Sequence, residues 1–346
     1  MKDTKCENVL VRTLKIAFFE TKEWEEKYLR ENLPGHDLIF YQEALTSDNA
    51  DKVRDYESVS VFVFSEFDKD ALAKLPNLKF ITTRSTGFDH IDLKECEKRS
   101  IVGCNVPFYG DNTVAEHAFA LLLTLTRMMH KVRISPQKTF AMEGLKGTDL
   151  KGKTLGVIGA GRIGLYAIKF ARGFGMNVLA YDIIFNDFAR EILGYDYVSL
   201  EELLQNSDII SMHAPLNKYT YHMLNKDNIR LVKPGAIFIN TSRGGLIDTD
   251  ALKMALDEGI FSAAGLDVIE GEELIIEEKR KSRKALTDNE KTIIERNLSI
   301  IQRVNVIFTP HIAFNTQEAA QRILDTTISN IKAYLEGRTE NIIVDI

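Results

Sequence analysis

Short apolar runs alternate with helix-patterned segments along the first third of the chain. The pattern predicts strands at five of these runs: Leu14–Phe19, Asp37–Tyr41, Val59–Phe64, Leu78–Thr83 and Ile101–Asn105. It predicts helices in the intervening segments, among them Trp24–Asn32, Lys69–Lys74 and Leu93–Arg99. Strands separated by helices are typical of βαβ units, so this region predicts a parallel sheet with helices on its faces.

A long helix is predicted from Asp111 to Val132, where the sequence reads DNTVAEHAFALLLTLTRMMHKV, with Asp111 or Asn112 as its cap. A second alternating series follows, with strands predicted at Thr154–Ile158, Asn177–Tyr181, Ile209–Met212, Ala236–Asn240, Ala263–Leu266 and Val306–Thr309. A last helical pattern, Thr316–Glu336, comes after this series is complete. We therefore expect two α/β domains, with the final helix returning to the first.

Composition agrees with two domains and narrows the partners. The chain has 346 residues, of which 45% are hydrophobic, enough for two cores. Its net charge is −6 and its basic residues are spread along its length, so no nucleic acid partner is expected. The first ten residues lack an apolar signal core, and the most apolar helical stretch, Ala118–Leu125, is too short to span a bilayer. Neither secretion nor membrane insertion is expected.

The three cysteines, Cys6, Cys96 and Cys104, show no CxxC spacing and no neighbouring histidine pair. An odd count without such spacing favours a reducing cytoplasm and no metal site. The segment Glu272–Glu295 is highly charged, and we expect it to form an exposed helical excursion with a solvated face.

The strongest local motif is TLGVIGAGRIG, a β-branched strand that runs into Gly159, Gly161 and Gly164 and then into the helical segment Leu165–Phe174. In a dinucleotide-binding turn the first glycine makes the turn, the second admits a pyrophosphate and the third permits helix-on-strand packing. Phosphates are then bound by the amides at the helix start. A glycine turn in a nucleotide-free α/β domain is the alternative.

Asp182 ends the next predicted strand and is suitably placed to accept hydrogen bonds from an adenosine ribose. The residues that follow it, Ile183, Ile184 and Phe185, offer no guanidinium to a 2′-phosphate. NAD is therefore expected rather than NADP, although an isolated aspartate at this position can also be a strand-end cap.

Three predicted strand ends in the second half carry polar residues beyond what folding requires: NTSRGG, GLDVIEGE and TPHIAF. Ligands of doubly wound sheets bind at the carboxyl ends of strands, so Arg243, Glu272 and His311 are expected to converge on one crevice. Taken singly, each has an ordinary alternative: a surface arginine, a solvated glutamate and a structural histidine.

Together these segments resemble the D-2-hydroxyacid dehydrogenase family over nearly the whole chain. The matching motifs, in chain order, are Arg84–Asp89, Asn112–His117, the Gly159 turn, His213–Leu216, Asn240–Gly245, Gly265–Glu272 and Thr309–His311. Within the family, Val106–Gly110 (VPFYG) and His311–Phe314 (HIAF) are most similar to the D-lactate and D-hydroxyisocaproate dehydrogenase branch.

The resemblance implies a flavodoxin-like substrate domain from residues 1–107 and 310–346 and a Rossmann NAD-binding domain from residues 108–309. It also implies an active site in the cleft between them and a homodimer formed through the NAD-binding domains. The implied activity is hydride transfer between NAD and a small 2-hydroxy or 2-keto acid, with D-lactate and pyruvate first.

The family roles map by motif onto three catalytic residues. Arg243 matches the arginine that grips the substrate carboxylate and polarises the keto oxygen. His311 matches the general acid of keto-acid reduction. Glu272 matches the carboxylate that holds the imidazole and favours its protonated form, a choice over Glu270 that depends on the spacing from Asp267.

The resemblance also implies substrate contacts from the amides of Thr86 and Gly87 and a side-chain pocket shaped by Tyr109 and Phe314. The implied cofactor contacts are Gly159, Gly161, Arg162, Ile163, Gly164, Asp182, Ala214, Pro215, Thr220, Thr241, Ser242 and Asp267. Of these, Asp267 is expected to meet the nicotinamide amide, and Ala214 and Pro215 the adenosine side.

Two other functions remain open. The same machinery serves related keto acids, such as those of hydroxyisocaproate, glycerate and glyoxylate dehydrogenases. An NAD-sensing protein similar to the corepressors of this family is a second class, since such proteins can retain the three catalytic residues.

Overall fold

The structure is a computed structural model that describes residues 13–132, 143–275 and 286–344. The chain divides into two units, one formed by Met1–Tyr109 with Gln317–Ile346 and the other by Gly110–Thr316. We call them unit 1 and unit 2. The final helix thus belongs to the same unit as the beginning of the chain.

The sheet of unit 1 has the strand order β2-β1-β3-β4-β5-β13. Its strands are β1 Lys15–Phe18, β2 Asp37–Phe40, β3 Ser58–Val61, β4 Phe80–Thr83, β5 Val102–Cys104 and β13 Ile342–Val344; its helices are α1 Glu23–Asn32, α2 Lys69–Ala73, α3 Leu93–Lys98 and α10 Gln317–Leu335. The first five strands are parallel, and β13 is antiparallel to β5. The order 2-1-3-4-5 is the flavodoxin-like doubly wound arrangement.

Alternation along β1 explains why unit 1 has two cores. Ile16 and Phe18 join the apolar cluster that includes Leu324, Ile328 and Ile331 of α10. Ala17 lies in the cluster on the other face of the sheet, with side chains from α2 and α3. Successive strand residues point to opposite faces, so an uninterrupted apolar strand requires helices on both sides.

The sheet of unit 2 is wholly parallel, in the order β8-β7-β6-β9-β10-β11-β12. Its strands are β6 Thr154–Ile158, β7 Asn177–Tyr181, β8 Asp196–Tyr197, β9 Ile209–Met212, β10 Ala236–Asn240, β11 Phe261–Leu266 and β12 Val306–Phe308; its helices are α4 Asp111–Thr126, α5 Arg162–Gly173, α6 Asp187–Leu193, α7 Leu200–Asn206, α8 Thr249–Asp257 and α9 Asp288–Ile301. Numbered from β6, the order is 3-2-1-4-5-6-7, in which the first six strands follow the Rossmann order 3-2-1-4-5-6 and β12 adds a seventh beside β11. The predicted α/β class is confirmed.

The predicted helix Asp111–Val132 is too long by six residues. Helix α4 ends at Thr126, and Met128 takes a left-handed backbone with a φ of 53°. The amide of Thr148 donates to the carbonyl of Thr126 at 2.8 Å, so a distant segment satisfies the helix end. The predicted cap is also wrong: Gly110 is the N-cap, and the carboxylate of Asp111 accepts from Arg162.

The predicted strand Val59–Phe64 is also too long. Strand β3 ends at Val61 because the amides of Phe62 and Phe64 donate to the carboxylate of Glu20, at 2.9 and 2.8 Å. An amide bound to a side chain is not free to extend the ladder.

The charged segment Glu272–Glu295 is described only in part. Glu272–Leu274 form one turn of 3-10 helix, and α9 begins at Asp288 and continues past the charged residues to Ile301. The prediction for residues 276–285 lies outside the described part of the chain. Glu272 is not solvated, since its side chain is 12% exposed.

Candidate active site

The turn between β6 and α5 depends on two glycines. A Cβ atom on Gly159 would lie 2.5 Å from the amide nitrogen of Ala214, and one on Gly164 would lie 2.0 Å from the carbonyl oxygen of Gly159. Both neighbours are backbone atoms that cannot move aside. The two glycines therefore allow β6, α5 and the loop after β9 to approach closely.

Gly161 is different, because a Cβ atom on it would meet nothing within 4 Å. Gly161 is the N-cap of α5, whose first amides have no acceptor within the helix. Open space in front of a helix N-terminus fits a pyrophosphate. Arg162 and Ile163 are the first residues of this helix, and the side chain of Arg162 pairs with Asp111 at 2.7 Å.

Asp182 lies directly after β7 and is bound to the glycine turn. One carboxylate oxygen accepts from the amide of Ala160 at 2.7 Å, and the other from the amide of Ile184 at 2.9 Å. Ile183, Ile184 and Phe185 are strongly exposed. A carboxylate beside the turn, with no guanidinium among these three residues, fits a ribose hydroxyl better than a 2′-phosphate.

Five further predicted cofactor residues, Ala214, Pro215, Thr220, Thr241 and Ser242, lie on the loops after β9 and β10. The hydroxyl of Thr220 donates to the carbonyl of Pro215, and that of Ser242 donates to the carbonyl of Ala214, both at 2.6 Å. The hydroxyl of Thr241 is buried and has no hydrogen-bond partner among the described residues. Buried polar atoms are normally satisfied, so this orphan hydroxyl fits a bound group. The site thus fits a dinucleotide.

His311 and Glu272 form a pair. Nδ1 of His311 lies 2.7 Å from Oε1 of Glu272, and the side chains are 28% and 12% exposed. The other oxygen of Glu272 accepts from the amide of Ile269 at 3.2 Å. Glu272 is acceptor-only when ionised, so Nδ1 carries a proton and Nε2 is the ring nitrogen left to exchange one.

Glu270, the nearby alternative to Glu272, has other partners. Its carboxylate accepts from the hydroxyl of Tyr221 and contacts Nε2 of His222, each at 3.0 Å, and it also accepts from Thr249. The hydrogen bond to Glu270 raises the pKa of Tyr221. The geometry places Glu272, and not Glu270, against His311.

Arg243 follows β10, as Glu272 follows β11 and His311 follows β12. These three strands are neighbours in the parallel sheet, so all three residues lie at its carboxyl edge. A Cβ atom on Gly244 would lie 2.1 Å from the carbonyl carbon of Ile269, so the turn after Arg243 packs directly on the loop that leads to Glu272. Nη1 of Arg243 donates to the carbonyl of Ser242 at 2.9 Å.

Asp267 is fully buried, although the resemblance implies that it meets the nicotinamide. Its carboxylate accepts from the amides of Ile312 and Ala313, at 2.9 and 2.8 Å, and from the hydroxyl of Thr309. In this conformation the side chain has no surface open to a cofactor, and its contacts hold the segment that carries His311. His117 and Thr309, which belong to matched motifs but received no predicted role, are part of this arrangement.

The predicted substrate residues Thr86, Gly87 and Tyr109 belong to unit 1, and Phe314 to unit 2. Thr86 is exposed, its hydroxyl donates to the carbonyl of Val106 at 2.9 Å, and Gly87 is half-buried. Tyr109 accepts from Nε of Arg322 at 2.6 Å through its carbonyl. Phe314 is half-buried.

Arg84 and Glu20 support the segment before Thr86 and were missed by sequence reasoning. Arg84 is buried, donates to the carbonyls of Phe19 and Glu20 at 2.6 and 2.9 Å, and has its pKa lowered by burial. Arg84 opens the RSTGFD motif, which was the available signal. No feature of the sequence indicated the left-handed backbone of Glu20.

The described ranges, residues 13–132, 143–275 and 286–344, contain neither a membrane-spanning helix nor a metal-binding group of side chains. No helix there is long and apolar enough to cross a membrane. No group of three or more histidine, cysteine, aspartate or glutamate side chains there is arranged to hold a metal ion.

The family model for the NAD-binding domain of D-isomer-specific 2-hydroxyacid dehydrogenases matches residues 119–313. D-lactate dehydrogenase of Escherichia coli is 36% identical over 332 residues, covering 94% of this chain and 98% of the relative. Glyoxylate reductase of Thermococcus litoralis is 38% identical over 300 residues, covering 83% of each chain. The structure of Aquifex aeolicus D-lactate dehydrogenase complexed with NAD and lactic acid matches with a TM-score of 0.86 and 38% identity, covering 96% of this chain and 100% of that one.

Proposed function

Because the chain belongs to the D-isomer-specific 2-hydroxyacid dehydrogenase family, we propose that it interconverts pyruvate and D-lactate with NADH and NAD. Membership of the family gives the reaction class, hydride transfer between NAD and the α-carbon of a 2-hydroxy acid. The main support for placing this reaction here is the 2.7 Å contact between His311 and Glu272. These two residues and Arg243 lie on loops that follow three neighbouring strands, β12, β11 and β10.

His311 is proposed to move the proton. With Nδ1 bonded to Glu272, Nε2 gives its proton to the keto oxygen during reduction and takes it back during oxidation. The carboxylate of Glu272 stabilises the imidazolium that must be present before reduction. The proton passes between Nε2 of His311 and the substrate oxygen, while the proton on Nδ1 stays in the hydrogen bond to Glu272.

Arg243 is proposed to bind the substrate carboxylate and polarise the keto carbonyl. A guanidinium stays charged at every working pH and binds a carboxylate through two parallel hydrogen bonds. The amides of Thr86 and Gly87 are proposed to complete the carboxylate site.

The cofactor, when bound, supplies or accepts the hydride. We propose that the amides at the start of α5 hold its pyrophosphate, that Asp182 binds its adenosine ribose, and that Ala214 and Pro215 contact the adenosine side. Thr220, Thr241 and Ser242 are further proposed contacts, of which Thr241 offers the unpartnered hydroxyl.

Pyruvate is proposed over other keto acids for two reasons. We propose that the aromatic rings of Tyr109 and Phe314 contact a small apolar side chain of the substrate. The relatives named above also include D-lactate dehydrogenases that match nearly the whole chain. Glyoxylate, the substrate named for another relative, lacks the methyl group that such rings would contact.

The test is a panel of 2-keto acids assayed by oxidation of NADH at catalytic protein concentration. Pyruvate is expected to give the highest kcat/KM, and the product should be D-lactate. A strong preference for glyoxylate or a bulky keto acid would overturn the substrate assignment. Binding of NADH without turnover of any member would favour an NAD-sensing protein instead.

We also propose a homodimer formed through unit 2 and a cytoplasmic location. Tyr166 on α5, Phe174 directly after α5 and Met129 after α4 are exposed apolar side chains of the kind that dimer interfaces cover. Sedimentation at micromolar concentration tests the dimer.

The proposed cytoplasmic location rests on the cysteines. Cys96 and Cys104 are free buried thiols whose pKa is raised by burial to about 11 and about 12, as suits a reducing compartment.

A further inference from the structure

The backbone of His311 is left-handed, with a φ of 57°. A residue with a Cβ atom rarely adopts this conformation, and it persists only where the surrounding structure holds it. The direction of the imidazole depends on this backbone, so whatever holds the backbone also aims Nε2.

Asp267 holds both sides of His311. Its carbonyl accepts the amide of His311 at 2.9 Å, and its carboxylate accepts the amides of Ile312 and Ala313 at 2.9 and 2.8 Å. Three consecutive amides are therefore bound by one buried residue at the end of β11. Bonds to a buried carboxylate are stronger than bonds between neutral groups.

Thr309 and His117 hold Asp267 in turn. The hydroxyl of Thr309 donates to the carboxylate of Asp267, and Nε2 of His117 lies 2.9 Å from the same hydroxyl oxygen. A hydroxyl has one proton, so when it is given to Asp267 the hydrogen bond from His117 must be donated by Nε2. That nitrogen also lies 3.5 Å from Oδ1 of Asp267, the oxygen that accepts from Thr309 and from the amide of Ile312.

We propose that His117 and Thr309 are positioning residues that act through Asp267 to keep His311 in its left-handed conformation, aimed at the substrate oxygen. The connection runs from α4 to the loop after β12, within unit 2. This inference rests on the proposed function, because it takes His311 as the proton donor. In this inference Asp267 positions His311 and does not bind the cofactor, so NADH binding should not depend on His117 or Thr309.

The first test compares Thr309→Val with Thr309→Ser. Valine has nearly the same shape but no hydroxyl, and serine keeps the hydroxyl. Misplacing a reacting group by about 1 Å can cost about 100-fold, so kcat should fall roughly 10- to 100-fold in Thr309→Val and by less than about threefold in Thr309→Ser. The dissociation constant of NADH, measured by fluorescence titration, should be the same in both variants and the parent.

The solvent deuterium isotope effect on kcat separates positioning from general damage. A badly aimed His311 makes proton transfer more rate-limiting, so the effect should rise in Thr309→Val; a loss of folded protein would lower activity without raising it. A valine variant with parental kcat would overturn the inference. Weakened NADH binding with unchanged kcat would also overturn it, because that result would mean that Asp267 acts by contacting the cofactor.

A second pair, His117→Leu and His117→Gln, tests the same chain from α4 if Thr309→Val fails to fold. Glutamine retains an N–H donor for Thr309, whereas leucine retains only bulk. Leucine should lower kcat and glutamine should recover most of it; equal kcat in the two would overturn the role of His117. A parent protein that reduces no keto acid would instead refute the proposed function, which keeps the two failures apart.

Discussion

Glu270 and Glu272 stand two residues apart, and their side chains enter different networks. Glu272 meets His311, whereas Glu270 meets Tyr221, His222 and Thr249. The left-handed Gly271 between them redirects the chain, with a φ of 78°. The pair therefore offers a matched comparison in which the same chemical change falls on two carboxylates of one loop.

Glu272→Gln should alter the pH dependence of turnover. The amide keeps the shape but removes the negative charge that stabilises the imidazolium, so keto-acid reduction should lose activity at a lower pH than in the parent. Oxidation, which needs the neutral ring, should persist to lower pH. Profiles of kcat/KM in both directions measure this, and Glu270→Gln should leave them in place. Unmoved profiles in Glu272→Gln would remove Glu272 from the mechanism.

Asp182→Ala should relax the preference for NADH over NADPH. The carboxylate repels a 2′-phosphate, and repulsion of the wrong ligand is a common source of specificity. The ratio of kcat/KM values for the two cofactors measures the change. Because Asp182 also accepts the amide of Ala160, Asp182→Asn is a useful companion that keeps one acceptor. Equal use of both cofactors by the parent would contradict the assignment.

His213 makes stability depend on pH. Its Nδ1 is buried without a partner among the described residues, and burial lowers its pKa from 6.5 to about 4. As the pH falls, the unfolded chain therefore takes up a proton on this histidine before the folded protein does. The contribution of the neutral ring to the free energy of unfolding is complete above pH 6.5 and is lost as the pH falls towards 4.

His213→Gln should remove that contribution. When the pH is lowered from 7.5 to 5, the free energy of unfolding should fall further in the parent than in the variant, by up to about 2 kcal/mol. Because the side chain of His213 is only partly buried, the difference should be smaller than this upper bound. Urea unfolding at the two pH values measures the difference. Identical losses in parent and variant would show that the ring titrates normally.

At the scale of elements, the glycine turn separates two requirements within one motif. Gly164→Ala brings a methyl group against the carbonyl of Gly159 and should destabilise the protein by more than about 2 kcal/mol. Gly161→Ala meets open space, so its melting temperature should stay near that of the parent. The added methyl should instead obstruct the cofactor and weaken NADH binding about tenfold, or about 1.4 kcal/mol. Thermal melts and NADH titrations of both variants provide the test.

The same scale shows where sequence patterns are informative. Every strand predicted from apolar alternation is present, because the residues of the strand themselves determine which of its faces are apolar and become buried. The ends of α4 and β3 were misplaced, because they are set by Thr148 and Glu20, far away in the chain. The strand ends that carry Arg243, Glu272 and His311 were predictable, but the contacts of Asp267 were not, since they depend on how loops pack.

At the scale of the whole molecule, the chain leaves unit 1 after Tyr109 and returns to it at Gln317. The returning helix α10 supplies buried side chains to the core that includes Ile16 and Phe18. Its tyrosine Tyr334 stacks on Phe80 of β4, with ring centroids 4.3 Å apart. Unit 1 therefore needs both ends of the sequence to close one face of its sheet.

This arrangement predicts that damage to α10 weakens unit 1 and spares cofactor binding. Ile331 is fully buried, so Ile331→Ala should lower the unfolding free energy by about 2 to 5 kcal/mol. Its neighbour Lys332 is exposed, and Lys332→Ala should change it by less than about 0.5 kcal/mol. The proposed NAD contacts all lie in unit 2, so the dissociation constant of NADH should be unchanged in both variants. Urea unfolding and NADH titration measure the two effects; an Ile331→Ala protein as stable as the parent would mean that α10 is not part of the core.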